Sequence, residues 1–306
     1  MGLRVVEPGL YSLLVGRGRT GSRHLGVPVG GPADFAAFAL GNGFLGNPPD
    51  ALALEVTLLG PTLLAECDLG MVVFGAPFQL SGGFEVGRSF NLAAGETLKI
   101  GGTPSGCRAY LCVAGGFRGR EILGSASALE PIRRGDVLAC GPSQVKPRES
   151  GRPSDSRSEL LRVLPGVQRH WFPDDLFFEQ TYTVSPASNR MGLRLLGTPL
   201  IRPPRELASE PVAPGAVQIT NDGLPVILGV DGQTIGGYPK IAHVIRADLD
   251  RLGQLRPGDP VRFVEVTPEE AESAYRAKAT ALRRTLAFWR VESEWNPASR
   301  PRQGSE

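Results

Sequence analysis

The residues best equipped for chemistry lie in the second half of the chain. Ser188-Asn189-Arg190-Met191-Gly192 is followed by Glu210, by Gln218 and then by Asp231-Gly232-Gln233-Thr234-Ile235-Gly236-Gly237-Tyr238-Pro239-Lys240. Asp231, Gln233, Thr234, Tyr238 and Lys240 bring varied donors and acceptors beside a glycine pair, where a ligand can approach bare backbone. Such a set suits an amide or a carboxylate. A carboxamide such as Gln233 pairs with an amide, while Arg190 and Lys240 can hold an anion. Lys240 can instead stabilise an oxyanion as it forms. The alternative is a Gly-rich hairpin whose polar side chains face water.

Other motifs exclude more than they propose. Gly16-x-Gly18-x-x-Gly21 has the spacing of a dinucleotide fingerprint and follows an apolar stretch, Tyr11 to Val15. Arg23-His24-Leu25-Gly26-Val27-Pro28 comes next, however, and cannot open the helix whose N-terminus would face a pyrophosphate. No Gly-x-x-x-x-Gly-Lys-Ser/Thr run occurs, so a P-loop for ATP is not expected. His24, His170 and His243 are far apart, and neither Gly-x-Ser-x-Gly nor Ser-x-x-Lys supplies a nucleophile setting. Alternation places His243 on the strand face opposite Ala242 and Val244, which favours a structural role. Cys67, Cys107, Cys112 and Cys140 have no Cys-x-x-Cys spacing and no paired His, so they read as buried reduced thiols with no metal site.

The elements that must position these residues are short. Among 306 residues, 40 are Gly and 27 are Pro, well above the combined share of about 12% in average proteins. Apolar runs of four to seven residues ending in Gly or Pro, such as Gly70 to Val73, Leu111 to Ala114 and Val226 to Val230, read as strands joined by tight turns. Two segments read as substantial helices: Asp34 to Leu45 with Asp34 as cap, and a helix running to about Trp289 from the capping box Thr267-Pro268-Glu269-Glu270. SQVKPRESGRPSDSRS, from 143 to 158, has the composition of a mobile linker and divides the chain near its middle. Arg134-Gly135-Asp136 before one apolar strand is echoed by Arg256-Pro257-Gly258-Asp259 before another, which suggests two related β domains. The tail after Trp295 reads as disordered.

Charge and hydropathy narrow the setting. With 33 basic and 31 acidic residues the net charge is +2, too weak a field to draw nucleic acid. No apolar run reaches membrane-spanning length, and Glu7-Pro8 interrupts the N-terminus before signal-peptide length. A cytoplasmic protein with no membrane contact is expected. Only four of the basic residues are Lys, and one of them is Lys240.

Six motifs occur together and in order. They are Gly26-Val27-Pro28-Val29-Gly30-Gly31-Pro32-Ala33-Asp34, Leu54-Glu55-Val56-Thr57-Leu58-Leu59-Gly60-Pro61, Ala109-Tyr110-Leu111-Cys112-Val113-Ala114-Gly115-Gly116, Ser188 to Gly192, Asp231 to Ala242, and Leu255-Arg256-Pro257-Gly258-Asp259. On these the chain resembles the biotin-dependent carboxyltransferase-type family, which includes the C-type subunit of 5-oxoprolinase, the kinase-inhibitor antagonist and the matching domain of urea amidolyase. The resemblance runs from about residue 3 to residue 270.

It implies a mainly β fold: two cyclophilin-like β-barrel domains, 1–142 and 159–268, around the linker 143–158, with a C-terminal helix and disordered tail over 269–306. It implies one component of an ATP-dependent 5-oxoprolinase that opens 5-oxo-L-proline to L-glutamate together with A-like and B-like oxoprolinase partners. ATP would serve the complex, and this chain would bind no cofactor tightly. Two alternatives stay open: a carboxyltransferase working on urea or a related amide with carboxybiotin on another chain, and a non-catalytic regulatory or binding component. The expected site follows the second-half motifs. Asp231, Gln233, Tyr238 and Lys240 are the expected catalytic residues, and Asn189, Arg190, Met191, Glu210, Gln218, Thr234, Gly236 and Gly237 the expected substrate-binding ones. The first half departs from the family pattern: Val15-Gly16 stands for a usual Gln-Asp, Gly30 for a Ser, and Phe74-Gly75-Ala76-Pro77 for Thr-Gly-Ala-Asp. The usual Gly-rich loop after Gly124-Ser125-Ala126-Ser127 is missing.

Overall fold

The computed structural model describes residues 1–150, 159–172 and 174–294. The latter part of the expected linker, 151–158, and the expected disordered tail lie outside the described residues. The first half consists of two antiparallel sheets. One has four strands in the order Thr97–Lys99, Thr62–Ala65, Gly2–Glu7, Val137–Ala139, and the other has five in the order Tyr11–Val15, Ala53–Thr57, Arg108–Val113, Leu69–Gly75, Phe90–Leu92. Period-two alternation explains why its central strands read as unbroken apolar runs. Met71, Val73, Leu111 and Val113 pack with Leu3, Leu63 and Leu98 of the four-stranded sheet. Their neighbours Val72, Phe74, Tyr110 and Cys112 belong to a second core with Phe38 and Phe44.

Both expected helices form. Phe35–Phe44 starts behind Asp34, whose carboxylate accepts the Ala37 N–H at 3.0 Å. Pro268–Glu294 opens on a reciprocal capping box: Glu270 N–H donates to the Thr267 hydroxyl at 3.2 Å, and Thr267 N–H to the Glu270 carboxylate at 2.8 Å. It runs five residues beyond Trp289, the end expected from the sequence, and returns to the first half. Trp289 sits edge-on to Phe44 at 4.9 Å and to Phe74 at 5.9 Å between centroids. Gly43 permits this approach, because a Cβ there would overlap Leu286.

The second half closes into a seven-stranded barrel in the order Leu160–Pro165, Lys240–Val244, Ala216–Ile219, Pro225–Leu228, Gly192–Leu196, Tyr182–Val184, Pro260–Glu265, the last strand pairing in parallel with the first. Leu161, Val163, Leu193, Leu195, Val217, Ile227 and Phe263 fill the inside. The residues between them, Arg194, Gln218 and Val226, therefore face outward, and this outer face carries the site. The echoed turns match closely: Arg133 N–H donates to the Asp136 carboxylate at 2.7 Å and Arg256 N–H to Asp259 at 3.0 Å, with Gly135 and Gly258 at φ of 90° and 91°.

One local expectation needs correcting. Residues 143–150, read as mobile from composition, lie along the Phe90–Leu92 strand. The Asn91 carboxamide exchanges two 2.8 Å hydrogen bonds with the Val145 backbone, and Ser89 N–H donates to Arg148 O at 3.0 Å. These bonds use the segment's main chain, so its side-chain composition carried no sign of them. The four cysteines are free and buried, and burial pushes the Cys140 thiol up to about 11.

Candidate active site

A cavity of about 180 Å³ opens on the outer face of the barrel, against the loop that leads from Leu228 to Lys240. Gln218, Val226, Arg194 and Gly192 line it from three adjacent strands, and Asn189, Met191, Gln233 and Tyr238 complete its walls. Strand register explains the grouping, since Arg194 and Gln218 both stand opposite Val226 on neighbouring strands. Met191 and Tyr238 are partly exposed at the mouth. The cavity is well below the roughly 300–1,000 Å³ of drug-sized sites, so it suits a small molecule.

Gln218 is the most telling residue. It is 1% exposed, and its Nε2 makes no hydrogen bond among the described residues. Its Oε1 accepts from Gln233 Nε2 at 3.4 Å. A buried amide donor without a partner costs about 1–3 kcal/mol unless something accepts from it. Gly236 makes the arrangement possible, because a Cβ there would lie 2.8 Å from Gln218 Nε2. Asn189 Oδ1 accepts Met191 N–H at 2.8 Å, which fixes the turn that brings both residues to the cavity.

Other expected site residues have different employment. Lys240 stands opposite Gln218 in the sheet, but its ammonium is ion-paired with Glu210. The same Glu210 oxygen accepts from Gln168 Nε2 at 2.8 Å, and Gln168 Oε1 accepts Lys240 N–H at 3.0 Å. The Lys240 hydrogen bond holds the Glu210 carboxyl below its usual range. Thr234 is buried, and its carbonyl accepts Val212 N–H at 3.0 Å. Gly237 lies close to Leu207 O and Ser209.

Arg190 and Asp231 correct the sequence reading most. Arg190 was expected to hold a ligand anion and Asp231 to act in catalysis. In the structure Arg190 donates to both Asp231 oxygens, at 2.6 and 3.0 Å, to Gly31 O at 2.7 Å and to Glu55. Glu55 is fully buried; it also accepts Ala33 N–H at 2.9 Å and the Tyr110 hydroxyl at 2.8 Å, and Arg108 Nε lies 3.3 Å away, off the line of a hydrogen bond. Burial alone raises the Glu55 carboxyl pKa, but Arg190 and Arg108 outweigh it and leave it below its ordinary value. The pair anchors the start of the site loop to the first half, a role that needs three-dimensional knowledge of Glu55. Gly30 N–H adds a backbone bond to Val230 O at 2.9 Å in the same place.

Arg194 and Thr220 line the cavity but were not singled out from the sequence. Arg194 had a legible signal: in Gly192-Leu193-Arg194-Leu195 it shares a strand face with Gly192, opposite two core leucines. Among the described residues, no three His, Cys, Asp or Glu side chains converge on a point that could hold a metal ion.

Comparison with known proteins adds independent context. The family model described as carboxyltransferase domain, subdomain A and B, matches residues 25–265. The chain is 34% identical to the C-type subunit of 5-oxoprolinase from Escherichia coli (strain K12), over 95% of this chain and 99% of that protein. It is 30% identical to urea amidolyase of Saccharomyces cerevisiae over 87% of this chain, but this spans 17% of that protein. The crystal structure of the K. lactis urea amidolyase superposes with a TM-score of 0.85 at 28% identity, covering 92% of this chain and 20% of that one.

Proposed function

Because this chain belongs to the carboxyltransferase subdomain A and B family, we propose that it is the C-type subunit of an ATP-dependent 5-oxoprolinase, opening 5-oxo-L-proline to L-glutamate with A-like and B-like oxoprolinase partners. The observation that carries this reading is the 34% identity to the C-type subunit of 5-oxoprolinase from Escherichia coli, over 95% of this chain and 99% of that protein. The urea amidolyases, by contrast, are matched over a fifth of their length or less.

The cavity supports the same reading. A lactam presents a planar amide, and the cavity wall presents carboxamides that pair with one: Gln233 at the surface and, behind it, Gln218, whose buried Nε2 meets a ligand carbonyl only when the loop at Gly236 moves aside. A carboxamide donor there becomes more valuable as the carbonyl oxygen gains charge during attack. Gln233, Asn189 and Tyr238 supply further polar groups to orient the amide plane. Lys240, ion-paired with Glu210 and outside the cavity lining, fixes the strand that stands opposite Gln218. In this reading ATP is used on a partner chain.

The test is reconstitution. This chain, its two partners, ATP and 5-oxo-L-proline are expected to release glutamate, and omission of this chain is expected to abolish release. Full activity without it would overturn the reading. The structural likeness to urea amidolyase favours a second one, carboxyl transfer to an amide from carboxybiotin on another protein. Inhibition of the reconstituted activity by avidin would favour that alternative.

A further inference from the structure

Arg194 and Gln218 occupy one row across three strands, each in register with Val226. With strands about 4.8 Å apart, their Cα atoms are separated by about 10 Å, and both side chains reach the same cavity. The floor between them is apolar, from Val226 and Leu228. At one end the buried Gln218 Nε2 has no partner. At the other, the Arg194 guanidinium makes no ion pair among the described residues. Asp222 is near enough to feel its charge, but the first hydrogen-bond partner of Asp222 is the Thr220 hydroxyl. The other cations of the expected site are committed, Arg190 to Glu55 and Asp231 and Lys240 to Glu210.

The cavity thus has a carboxamide wall at one end and, at its exposed rim, a cation without an ion pair among the described residues, separated by an apolar floor. We propose that Arg194 binds a carboxylate on the ligand whose amide carbonyl meets Gln218, making the site selective for an acidic lactam over a neutral amide. This deepens the lactam-hydrolase reading and rests on it. 5-Oxo-L-proline carries a carboxylate beside its ring amide, whereas urea carries none. Arginine suits the task because its planar fork matches both carboxylate oxygens.

The proposal is tested in the full complex with 5-oxo-L-proline and with 2-pyrrolidinone, the same lactam without the carboxylate. Arg194→Gln is expected to raise KM for 5-oxo-L-proline about tenfold to hundredfold, as the charge-assisted fork is replaced by a neutral carboxamide, with kcat near that of the unsubstituted chain. Arg194→Lys recovers part of the loss, and turnover of 2-pyrrolidinone is unchanged. An unaltered KM, or an equal loss for both lactams, would overturn the assignment. Calorimetric titration of the full chain separates this from the reading beneath it. If the complex forms no glutamate but the chain binds 5-oxo-L-proline in preference to 2-pyrrolidinone and Arg194→Gln abolishes that preference, the lactam-hydrolase reading fails and the Arg194 assignment stands. If the chain has no preference, or Arg194→Gln leaves it intact, the assignment fails.

Discussion

A single unpartnered atom carries much of the functional argument. Gln218 Nε2 is buried without an acceptor among the described residues, so the wall of the site carries a desolvation cost. Replacement by a similar apolar shape should then separate stability from function. Gln218→Met is expected to leave the thermal midpoint unchanged or slightly raised, while kcat/KM for 5-oxo-L-proline falls about tenfold or more. A midpoint several degrees lower, with turnover retained, would mean that Gln218 is structural. Gln218, Gln233, Asn189, Met191 and Tyr238 stand out in the sequence because their motifs are dense in polar groups, and the fold gathers them round one cavity. It assigned Arg190 the wrong partner, because Glu55 lies 135 positions away and no local pattern signals that contact.

At the scale of elements, the Glu55–Arg190–Asp231 chain joins the Ala53–Thr57 strand of the first half to the start of the site loop. Removing one partner of a buried pair leaves the other charge without compensation, a loss of about 3–5 kcal/mol. Glu55→Gln is expected to destabilise the chain on this scale at neutral pH and to increase hydrogen exchange between residues 231 and 240. The pH dependence has a definite sign. The folded-state pKa of Glu55 lies below its ordinary 4.5, so its contribution is present above about that pH and is lost as pH falls through the lower folded value. Urea midpoints measured from pH 7 to pH 3 should therefore converge for Glu55→Gln and the unsubstituted chain on the acid side. A constant difference across that range would contradict the role given to Glu55. The elements themselves were readable: the Asp34 cap, the Thr267 capping box and the paired Gly-Asp turns are local chemistry. Main-chain pairing of residues 143–150 was not, because backbone groups are the same in every sequence.

Across the whole molecule, the first half has a positioning role that its altered motifs did not suggest. It buries Glu55 under the site loop, donates Gly30 N–H to Val230 O, and receives Gln254, whose Oε1 accepts Cys107 and Arg108 N–H groups at 3.1 Å and whose Nε2 donates to Asp34 at 2.7 Å. The loss of polar pairs such as Gln-Asp at Val15-Gly16 is therefore compatible with a working site on the barrel of the second half. The mainly β class was legible from short apolar runs and abundant Gly and Pro; closure of the barrel depends on pairing between Leu160–Pro165 and Pro260–Glu265, about a hundred residues apart and invisible to local pattern. The central claim is that a small planar amide sits on the outer face of this barrel. The most direct measurement is the position of 5-oxo-L-proline in crystals of the full chain soaked with it. The account predicts the lactam between the site loop and Val226, its ring carbonyl about 2.9 Å from the Gln218 carboxamide. Ordered ligand at another place, and none in this cavity, would contradict it.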